Sequence, residues 1–378
     1  MRFTFTKEQE AFREELREFL RKELPAAHDE GDGYDRRFSK KLAAQGWIGM
    51  AWPKEYGGQG LGAIEQMVYT EEMIKSNAPR GFHFVAERQV GPSVIRHGTE
   101  NQKNYWLQRI IRADVSFALG LSEPGAGSDL AAVTTRAVRD GDDYIVTGQK
   151  IWTSGAHRSE AIWLVVRTDQ DAPKHRGISC LIVDLNSPGI SIRPLYDMTG
   201  QHHFNEVFFD SVRVPVDRRI GEENRGWYVL AEHLDFERSG IERLVDFERL
   251  FWMVMDEARL RSRAATLTPA VRATLAELAI ELEVGRLMCY RSAWLQSVGA
   301  VPNYEASMAK AFGTEWCQRM AAAAVGLLGM EAAAHAGRPL SATVQHDYLQ
   351  AVSRTIAGGT SEIQRNIIAT RGLGLPRS

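Results

Sequence analysis

The stretch Leu121-Ser-Glu-Pro-Gly-Ala-Gly-Ser-Asp129 stands where the sequence changes from helical to β-type patterns. It combines two glycines, a rigid proline and two hydroxyl side chains. Gly125 and Gly127 would let backbone amides approach an anionic or carbonyl-rich ligand closely, because glycine has no Cβ. Ser122 and Ser128 can donate hydrogen bonds. The stretch therefore indicates a cofactor cradle, although a plain tight loop explains these residues equally well.

The sequence before this loop has helical patterns. Thr6-Lys-Glu-Gln9 is typical of a capping box, in which two side chains satisfy free backbone N–H groups at a helix start. Apolar residues then recur at helical spacing until Pro25, which ends the run. The same periodicity predicts helices over residues 38–45, 61–76 and 102–113.

The sequence after residue 114 has short β-rich runs that are separated by Asp and Gly clusters. Their spacing favours a compact antiparallel sheet or barrel over alternating βαβ units. The runs cover residues 144–147, 162–166, 178–184, 190–193, 206–209 and 212–214. After Gly221 the helical period returns, and it predicts helices that end near Gln296, Leu328 and Arg371.

These patterns predict an α+β fold that is mostly α. We expect an N-terminal helical domain over residues 1–114, a middle antiparallel β domain over 115–222 and a C-terminal helical bundle over 223–378. A chain of 378 residues is long enough for two or three such units.

The composition excludes several classes of partner. The net charge is −2, so no basic excess favours nucleic acid or an anionic membrane. The three cysteines fit no zinc or haem spacing and are expected to be buried, reduced thiols. No uncharged apolar run reaches the roughly 18 residues that a membrane span needs. The N-terminus lacks the apolar core of a secretory signal, so we expect a cytoplasmic protein.

Other chemistries lack their usual context in this sequence. Gly58-Gln-Gly60-Leu-Gly62 follows no predicted strand, so it is interpreted as a structural turn and not as a dinucleotide fingerprint. His202 and His203 are adjacent and would point apart on a strand, which argues against a metal site. No Gly-x-Ser-x-Gly elbow is present, so acyl-enzyme chemistry is not supported.

The segment Leu234-Asp-Phe-Glu-Arg-Ser-Gly-Ile-Glu-Arg243 predicts an acidic helix. One interpretation is a solvated helix with Glu/Arg pairs. Another is a catalytic helix, because a glutamate in a partly apolar pocket has a raised pKa and can act as a general base. Glu237, between Phe236 and Arg238, is the candidate.

Three spaced motifs are similar to signatures of the acyl-CoA dehydrogenase family, and the resemblance covers essentially the whole chain. The loop at 121–129 resembles the family's flavin loop. Gly148-Gln-Lys-Ile-Trp-Thr-Ser-Gly155 follows a predicted strand, as in the family, and Gly358-Gly-Thr-Ser-Glu-Ile-Gln-Arg365 resembles the C-terminal signature. Tyr56-Gly-Gly58 also fits.

The resemblance implies the same three-part fold and an FAD site. The residues that would hold the cofactor are Leu121, Ser122, Gly127, Ser128, Trp152, Ser154, Thr360 and Glu362. The substrate would be an acyl-CoA thioester, in contact with Ser128, Asp235 and Arg238. Electrons would pass to an electron-transfer flavoprotein, as in β-oxidation and other lipid catabolism.

The family reaction removes two hydrogens and yields the 2-enoyl-CoA. A carboxylate takes the α-proton while the β-hydrogen leaves as hydride to flavin N5. Two hydrogen bonds to the thioester oxygen stabilise the developing enolate. The resemblance assigns one of them to the flavin ribityl hydroxyl and the other to the backbone N–H of Gly358.

The chain departs from the commonest family pattern at Gly358. Many members have the catalytic glutamate at this position, and a glycine cannot act as the base. A branch that includes isovaleryl- and long-chain-type enzymes has the glutamate on an earlier helix, which matches Glu237 followed by Arg238, with Glu242 as the fallback. The lost side chain should also widen the acyl pocket, which favours branched, cyclic or bulky acyl groups.

Two further departures concern assembly, which in the family is usually a homotetramer. Residues 261–273 show no clear equivalent of the Arg-x-Phe motif, and Ala324-Val-Gly-Leu-Leu-Gly329 lacks the glutamine of the Gln-x-x-Gly-Gly motif. A homotetramer or a heterotetramer therefore remains open. The alternatives are a flavin oxidase or monooxygenase of the same fold, and an FAD-poor partner subunit of a heteromeric dehydrogenase.

Overall fold

The structure is a computed structural model that describes residues 4–24, 33–237, 240–334 and 337–376, and for 232–237 it describes the backbone alone. The chain divides into two units. The helical unit comprises residues 1–20, 62–77 and 238–378, and the sheet unit comprises residues 21–61 and 78–237.

The α-helices of the described residues are numbered here in chain order. They are α1 (Lys7–Glu23), α2 (Arg36–Ala44), α3 (Ala63–Lys75), α4 (Gly91–His97), α5 (Glu100–Ile111), α6 (Gly226–Glu237), α7 (Glu242–Val245), α8 (Glu248–Arg263), α9 (Pro269–Ser297), α10 (Tyr304–Leu328), α11 (Pro339–Arg354) and α12 (Ser361–Ile367). The sheet unit holds α2, α4, α5 and α6, and the helical unit holds α3, α7–α12 and most of α1.

The predicted start of the first helix is confirmed by its hydrogen bonds. The Thr6 N–H donates to Gln9 Oε1 at 3.0 Å, and the Gln9 N–H donates to Thr6 Oγ1 at 3.2 Å. This reciprocal pair satisfies two N–H groups that have no partner within the helix. Thr99 and Gln102 form a second capping box at the start of α5.

One sheet of eight strands forms the centre of the sheet unit. The strands are β1 (Phe117–Gly120), β2 (Arg136–Asp140), β3 (Asp143–Lys150), β4 (Ala161–Arg167), β5 (Ile178–Asp184), β6 (Ile190–Tyr196), β7 (His202–Pro215) and β8 (Arg219–Ile220). Their order is β6-β7-β3-β2-β4-β5-β8, and β1 pairs with β4. Most pairs are antiparallel, as predicted, but β1 and β2 run parallel to β4.

The strand pattern differs from the prediction in two respects. The runs at 206–209 and 212–214 belong to one long strand, β7, which pairs with β3 through a register shift between Val146 and Gly148. The strands β1, β2 and β8 were missed. They are short, and most residues of β2 are exposed, so they lack the apolar alternation on which the prediction depended.

Each unit has its own apolar core. Strands β4 and β5 are buried on both faces, so they read as continuous apolar runs. The core of the helical unit surrounds Trp316, whose indole N–H donates to the Leu278 carbonyl at 3.0 Å. Leu244 of α7 lies against Gly285 of α9 and Gly313 of α10, where the missing side chains leave room for it.

The acidic helix that we predicted over residues 234–243 is wrong as a single element. Helix α6 ends at Glu237, and α7 begins at Glu242. Gly240 lies between them, and glycine is about 1 kcal/mol less favourable than alanine inside a helix. A Cβ on Gly240 would lie 1.7 Å from the Glu242 carboxylate oxygen Oε1, so a larger residue at 240 would require the Glu242 side chain to move.

Candidate active site

The loop at 121–129 follows β1 in the sheet unit and is closed by its own backbone. The Glu123 N–H donates to the Ala126 carbonyl, and the Ala126 N–H donates to the Glu123 carbonyl, both at 3.0 Å. Gly127 and Ser128 are exposed. A Cβ on Gly125 or Gly127 would meet nothing within 4 Å, so packing within the chain does not require these glycines. They leave a bare backbone surface on which a ligand can lie.

A buried ion pair between Lys150 and Glu123 holds this loop in place. The Lys150 Nζ lies 2.7 Å from Glu123 Oε1 and also donates to the Leu121 carbonyl at 3.1 Å. The Glu123 carboxylate accepts three more hydrogen bonds, from Thr134 N, Thr134 Oγ1 and Thr135 N at 2.7–2.9 Å. Lys150 has no exposed side-chain surface. The loop is therefore fixed to strand β3, which carries Lys150.

The electrostatics of the pair follow from its burial and its partners. Burial by itself raises the pKa of Glu123, but the Lys150 ammonium and the hydrogen bonds from Thr135 and Thr134 outweigh it and lower the pKa to about 2. Burial lowers the pKa of Lys150 to about 8, against the opposing effect of Glu123. Both groups are therefore charged at neutral pH.

The segment after β3 runs beside the loop. The Ile151 N–H donates to the Ser122 carbonyl at 2.9 Å. Thr153 is held on both sides by Asn205, since its N–H donates to the Asn205 carbonyl and its carbonyl accepts from Asn205 Nδ2, both at 3.0 Å. Trp152 lies between these anchors. The structure thus brings Leu121, Ser122 and the Trp152 segment together.

Trp152 has an unusual backbone conformation. Its φ is +59°, a region that residues other than glycine rarely adopt, and the residue is 57% exposed. The ring makes an edge contact with Phe204, at 5.8 Å between centroids. Such strain persists only where the surroundings impose it, and it is often found at functional sites. Ser154, two residues on, is also exposed.

The C-terminal signature lies in the helical unit. Thr360 caps α12 by accepting a hydrogen bond from the Ile363 N–H at 3.3 Å. Hydrogen bonds from the Glu362 N–H and the Thr360 side chain lower the pKa of Glu362. Thr360 and Glu362 line a cavity of about 490 Å³ together with Arg319 and Arg365. Both arginines form ion pairs within the helical unit, Arg319 with Glu281 at 3.0 Å and Arg365 with Glu315 at 2.6 Å.

The turn before Thr360 contains two glycines in the left-handed region. The φ of Gly358 is +65° and that of Gly359 is +89°. A Cβ on Gly358 would lie 2.5–2.9 Å from the guanidinium group of Arg243. The space of the missing side chain is therefore filled by Arg243 and is not left open. Our expectation that Gly358 widens the acyl pocket is wrong for this reason.

The candidate base lies partly outside the described residues. Glu237 is the last residue of α6, but its side chain and that of Asp235 are outside the description, as is all of Arg238. The fallback candidate, Glu242, begins α7. Its Oε2 atom is buried without a hydrogen-bond partner among the described residues.

Several residues of this site were missed by the sequence reasoning. Lys150 and Glu123 support the flavin-type loop, Asn205 anchors the Trp152 segment, and Arg243 lies against Gly358. A signal for Lys150 was available, because period-two alternation from Tyr144 places it on the buried face of β3. The sequence contains no comparable signal for Arg243, since its contact with the turn spans more than a hundred residues.

A second cavity, in the sheet unit, lies apart from these residues. It has a volume of about 1080 Å³ and is lined mainly by residues of α4, α5 and the segment 216–229. The predicted site residues that the structure describes are not among its lining residues. In the described part of the chain, no cluster of metal-binding side chains occurs, and no helix is long and apolar enough to cross a membrane.

Comparison with known proteins identifies the family. The N-terminal, middle and C-terminal domains of acyl-CoA dehydrogenases match residues 6–114, 118–212 and 224–373. The chain belongs to the acyl-CoA dehydrogenase family. The resemblance and the mostly helical α+β fold class are thereby confirmed, as is the assignment as an oxidoreductase of the flavoprotein type.

The relatives agree along the whole chain. The acyl-CoA dehydrogenase FadE26 of Mycobacterium tuberculosis is 36% identical over 403 residues, which cover 100% of both chains. A solved structure described as the "Tcur3481-Tcur3483 steroid ACAD" is 36% identical with a TM-score of 0.90 and full coverage of both chains. The ChsE4–ChsE5 complex from Mycobacterium tuberculosis is also 36% identical, with a TM-score of 0.88 and full coverage of both chains.

Proposed function

We propose that this protein is an FAD-dependent dehydrogenase that converts an acyl-CoA thioester with a branched, cyclic or bulky acyl group into the 2-enoyl-CoA. The observation that carries the proposal is the pair of segments at 121–122 and 151–153. Lys150, Ile151 and Asn205 fix them side by side, and between them an exposed indole is held in a strained backbone. This arrangement suits the support of a large planar ring.

Different residues of the chain would bind the cofactor, accept the proton and stabilise the thioester oxygen. The residues that would hold FAD are Leu121, Ser122, Gly127, Ser128, Trp152, Ser154, Thr360 and Glu362. When bound, FAD accepts the β-hydrogen of the substrate as a hydride. A carboxylate of the chain takes the α-proton, and the Gly358 N–H stabilises negative charge on the thioester oxygen.

We assign the carboxylate to Glu237. Gly358 offers only backbone atoms, and Arg243 fills the adjoining space, so no base can stand there. Glu237 ends α6 immediately before the segment that leads to α7. Glu242 is the alternative, since one of its carboxylate oxygens, Oε2, is buried and has no hydrogen-bond partner among the described residues. Asp235, Arg238 and Ser128 are assigned to the acyl-CoA.

The names of the relatives support a bulky acyl group. One of the similar solved structures is described as a "steroid ACAD", so a steroid-derived acyl-CoA is the first substrate to test. Because an argument from an open space at Gly358 no longer holds, this proposal depends on the relatives and not on pocket geometry. An electron-transfer flavoprotein is the proposed acceptor.

The test is anaerobic titration of the flavin-loaded enzyme with linear, branched and steroid-type acyl-CoA thioesters. We expect the visible absorption band of the oxidised flavin to bleach with a bulky thioester. Glu237→Gln should slow bleaching by at least about 100-fold, the usual contribution of a general base, with flavin still bound, and Glu242→Gln should not. Near-normal bleaching in Glu237→Gln would move the assignment to Glu242. Rapid reoxidation by air would instead indicate an oxidase.

A heteromeric assembly is the second candidate, and Arg261 favours it. Arg261 lies where the family's Arg-x-Phe motif is expected, but it bonds within its own unit: Nε to Glu257 at 2.8 Å and Nη1 to the Leu327 carbonyl at 2.7 Å. Residues 261–273 and 324–329, the two regions that lack the family's assembly motifs, are thus hydrogen-bonded to each other through Arg261 and Leu327. A different partner subunit would then supply those contacts, as the ChsE4–ChsE5 complex suggests. A low flavin content of the chain purified alone would support this assembly, and one FAD per chain would exclude it.

A further inference from the structure

The turn at residues 357–359 is held by side chains from three helices. Arg243 Nη1 of α7 donates to the Ala357 carbonyl at 3.2 Å. Gln364 Nε2 of α12 donates to the Gly358 carbonyl at 2.9 Å, and Lys310 Nζ of α10 donates to the Gly359 carbonyl at 2.6 Å. Three successive peptide oxygens therefore each have a side-chain donor, two of which are cationic.

The hydrogen bond from Arg243 is made to the peptide group that joins Ala357 to Gly358. The Ala357 carbonyl and the Gly358 N–H belong to one planar trans peptide and point in opposite directions. A donor that fixes the oxygen thus fixes the direction of the N–H. A cationic donor also polarises the amide, and hydrogen bonds in a chain strengthen one another.

We propose that Arg243 is a positioning residue that orients the Gly358 N–H and strengthens it as the hydrogen-bond donor to the thioester oxygen. This inference rests on the proposed function, in which that N–H binds the oxygen. This role would need glycine at position 358 for two reasons. It allows the left-handed φ of +65°, and it leaves the space in which the guanidinium group lies.

The backbone of Arg243 is itself firmly placed. Its neighbour Leu244 is 1% exposed and lies against Gly285 and Gly313 on two long helices. The Arg243 carbonyl accepts a hydrogen bond from Cys317 Sγ at 3.3 Å. The backbone from which the guanidinium group reaches the turn is thus held in place, and a hydrogen-bond donor that orients another group needs such support.

Lys310 and Gln364 complete the support. Lys310 is 2% exposed and Gln364 is fully buried. Burying an ammonium group is unfavourable unless it is hydrogen-bonded. The hydrogen bond from Lys310 to the Gly359 carbonyl therefore compensates for the burial of this lysine. These two residues fix the peptides that follow Gly358, and Arg243 fixes the one that carries its N–H.

The kinetic test compares Arg243→Met and Arg243→Lys in the flavin-loaded enzyme, with its partner subunit if one is needed. Complete loss of an oxyanion donor slows a reaction about 100- to 1000-fold. For Arg243→Met we expect a fall of about 10- to 100-fold in the rate constant of flavin reduction at saturating acyl-CoA, with KM changed less than about threefold. Arg243→Lys should lie between this variant and the wild type. The matched control is Arg249→Met, an exposed arginine on α8, which should change neither value.

The second test needs no substrate. In enzyme labelled with ¹⁵N-glycine, the Gly358 amide resonance is identified by its loss in Gly358→Ala. We expect its proton to move to lower chemical shift in Arg243→Met and less in Arg243→Lys, while Arg249→Met leaves it unchanged. An unmoved resonance, or an unchanged reduction rate, overturns the positioning role. A resonance that moves in an enzyme that no acyl-CoA reduces would instead reject the proposed function and retain the contact. If Arg243→Met does not fold, the lysine variant decides by the same two measurements.

Discussion

Gly358 has no side chain that could act as a base, but its backbone N–H can donate a hydrogen bond. Many family members have a carboxylate at this position, and here it has only a hydrogen. The left-handed φ and the adjacent Arg243 guanidinium both oppose a side chain. Glycine has no side chain that could accept a proton, which is why we propose Glu237, on another element, as the proton acceptor.

A glutamate at 358 should not restore activity to an enzyme without its base. In the Glu237→Gln background, we expect Gly358→Glu to leave flavin reduction as slow as in Glu237→Gln alone. The new carboxylate would form an ion pair with Arg243, and the left-handed φ costs about 1–2 kcal/mol for a residue with a Cβ. Stopped-flow reduction by the best acyl-CoA measures this. The matched control is Gly358→Ala in the same background, and recovery specific to the glutamate variant would contradict the expectation.

At the scale of elements, strand β3 links the two parts of the candidate flavin site. Its last residue, Lys150, supports the loop at 121–129 from below, and the chain then continues directly into the Trp152 segment. The strand pairs with β2 and β7, so its position is set by the sheet. Residues on strands are held more precisely than residues on free loops.

Removing the charge of Lys150 should weaken both the fold and the flavin site. Lys150→Met leaves the Glu123 carboxylate buried without its cation, and breaking a buried ion pair in this way costs about 3–5 kcal/mol. We expect this loss in urea unfolding, together with weaker FAD binding. The control is Lys174→Met, which removes the ion pair of the same loop with Asp129, where both side chains are more than half exposed. A surface pair contributes about 0–1 kcal/mol, and equal losses in the two variants would contradict the argument.

Element-scale prediction succeeded where the chemistry is local. The capping box at Thr6, the strand at residues 178–184 and the ends of the long helices depend on residues that are close in sequence. The break between α6 and α7 was missed, although Ser239-Gly240 was a signal for it, because the Glu/Arg pattern continued across the glycine. Arg243 could not be predicted to contact Gly358, since only packing of α7 against α9 and α10 brings them together.

At the scale of the whole molecule, stability should depend on pH through one buried acid. Burial raises the pKa of Glu87 to about 7, and a hydrogen bond from the Gly49 N–H only partly opposes this. The folded state therefore binds a proton more tightly than the unfolded state, in which the pKa is 4.5. The contribution of Glu87 to the free energy of unfolding should therefore fall as pH rises from about 4.5 to about 7, and its full penalty remains above that range.

Glu87→Gln should remove this dependence. The amide oxygen can still accept the Gly49 hydrogen bond, but it carries no charge to bury. We expect the variant to gain stability relative to the wild type as pH rises from 5 to 8, measured by urea unfolding at each pH. Glu55→Gln, at an exposed position, is the control and should follow the wild type. Parallel curves for wild type and Glu87→Gln would show that Glu87 does not titrate in this range.

The contact between Gly358 and Arg243 also constrains how this sequence can change over generations. A glutamate at 358 and an arginine in the present place of Arg243 would compete for the same space. A lineage that now restores glutamate at 358 alone meets an occupied space, so it gains no working base and disturbs the turn. Selection would remove that reversion unless position 243 changed first. Under our assignment of the base to Glu237, this contact would work as an evolutionary ratchet, in which Gly358 and Arg243 preserve each other.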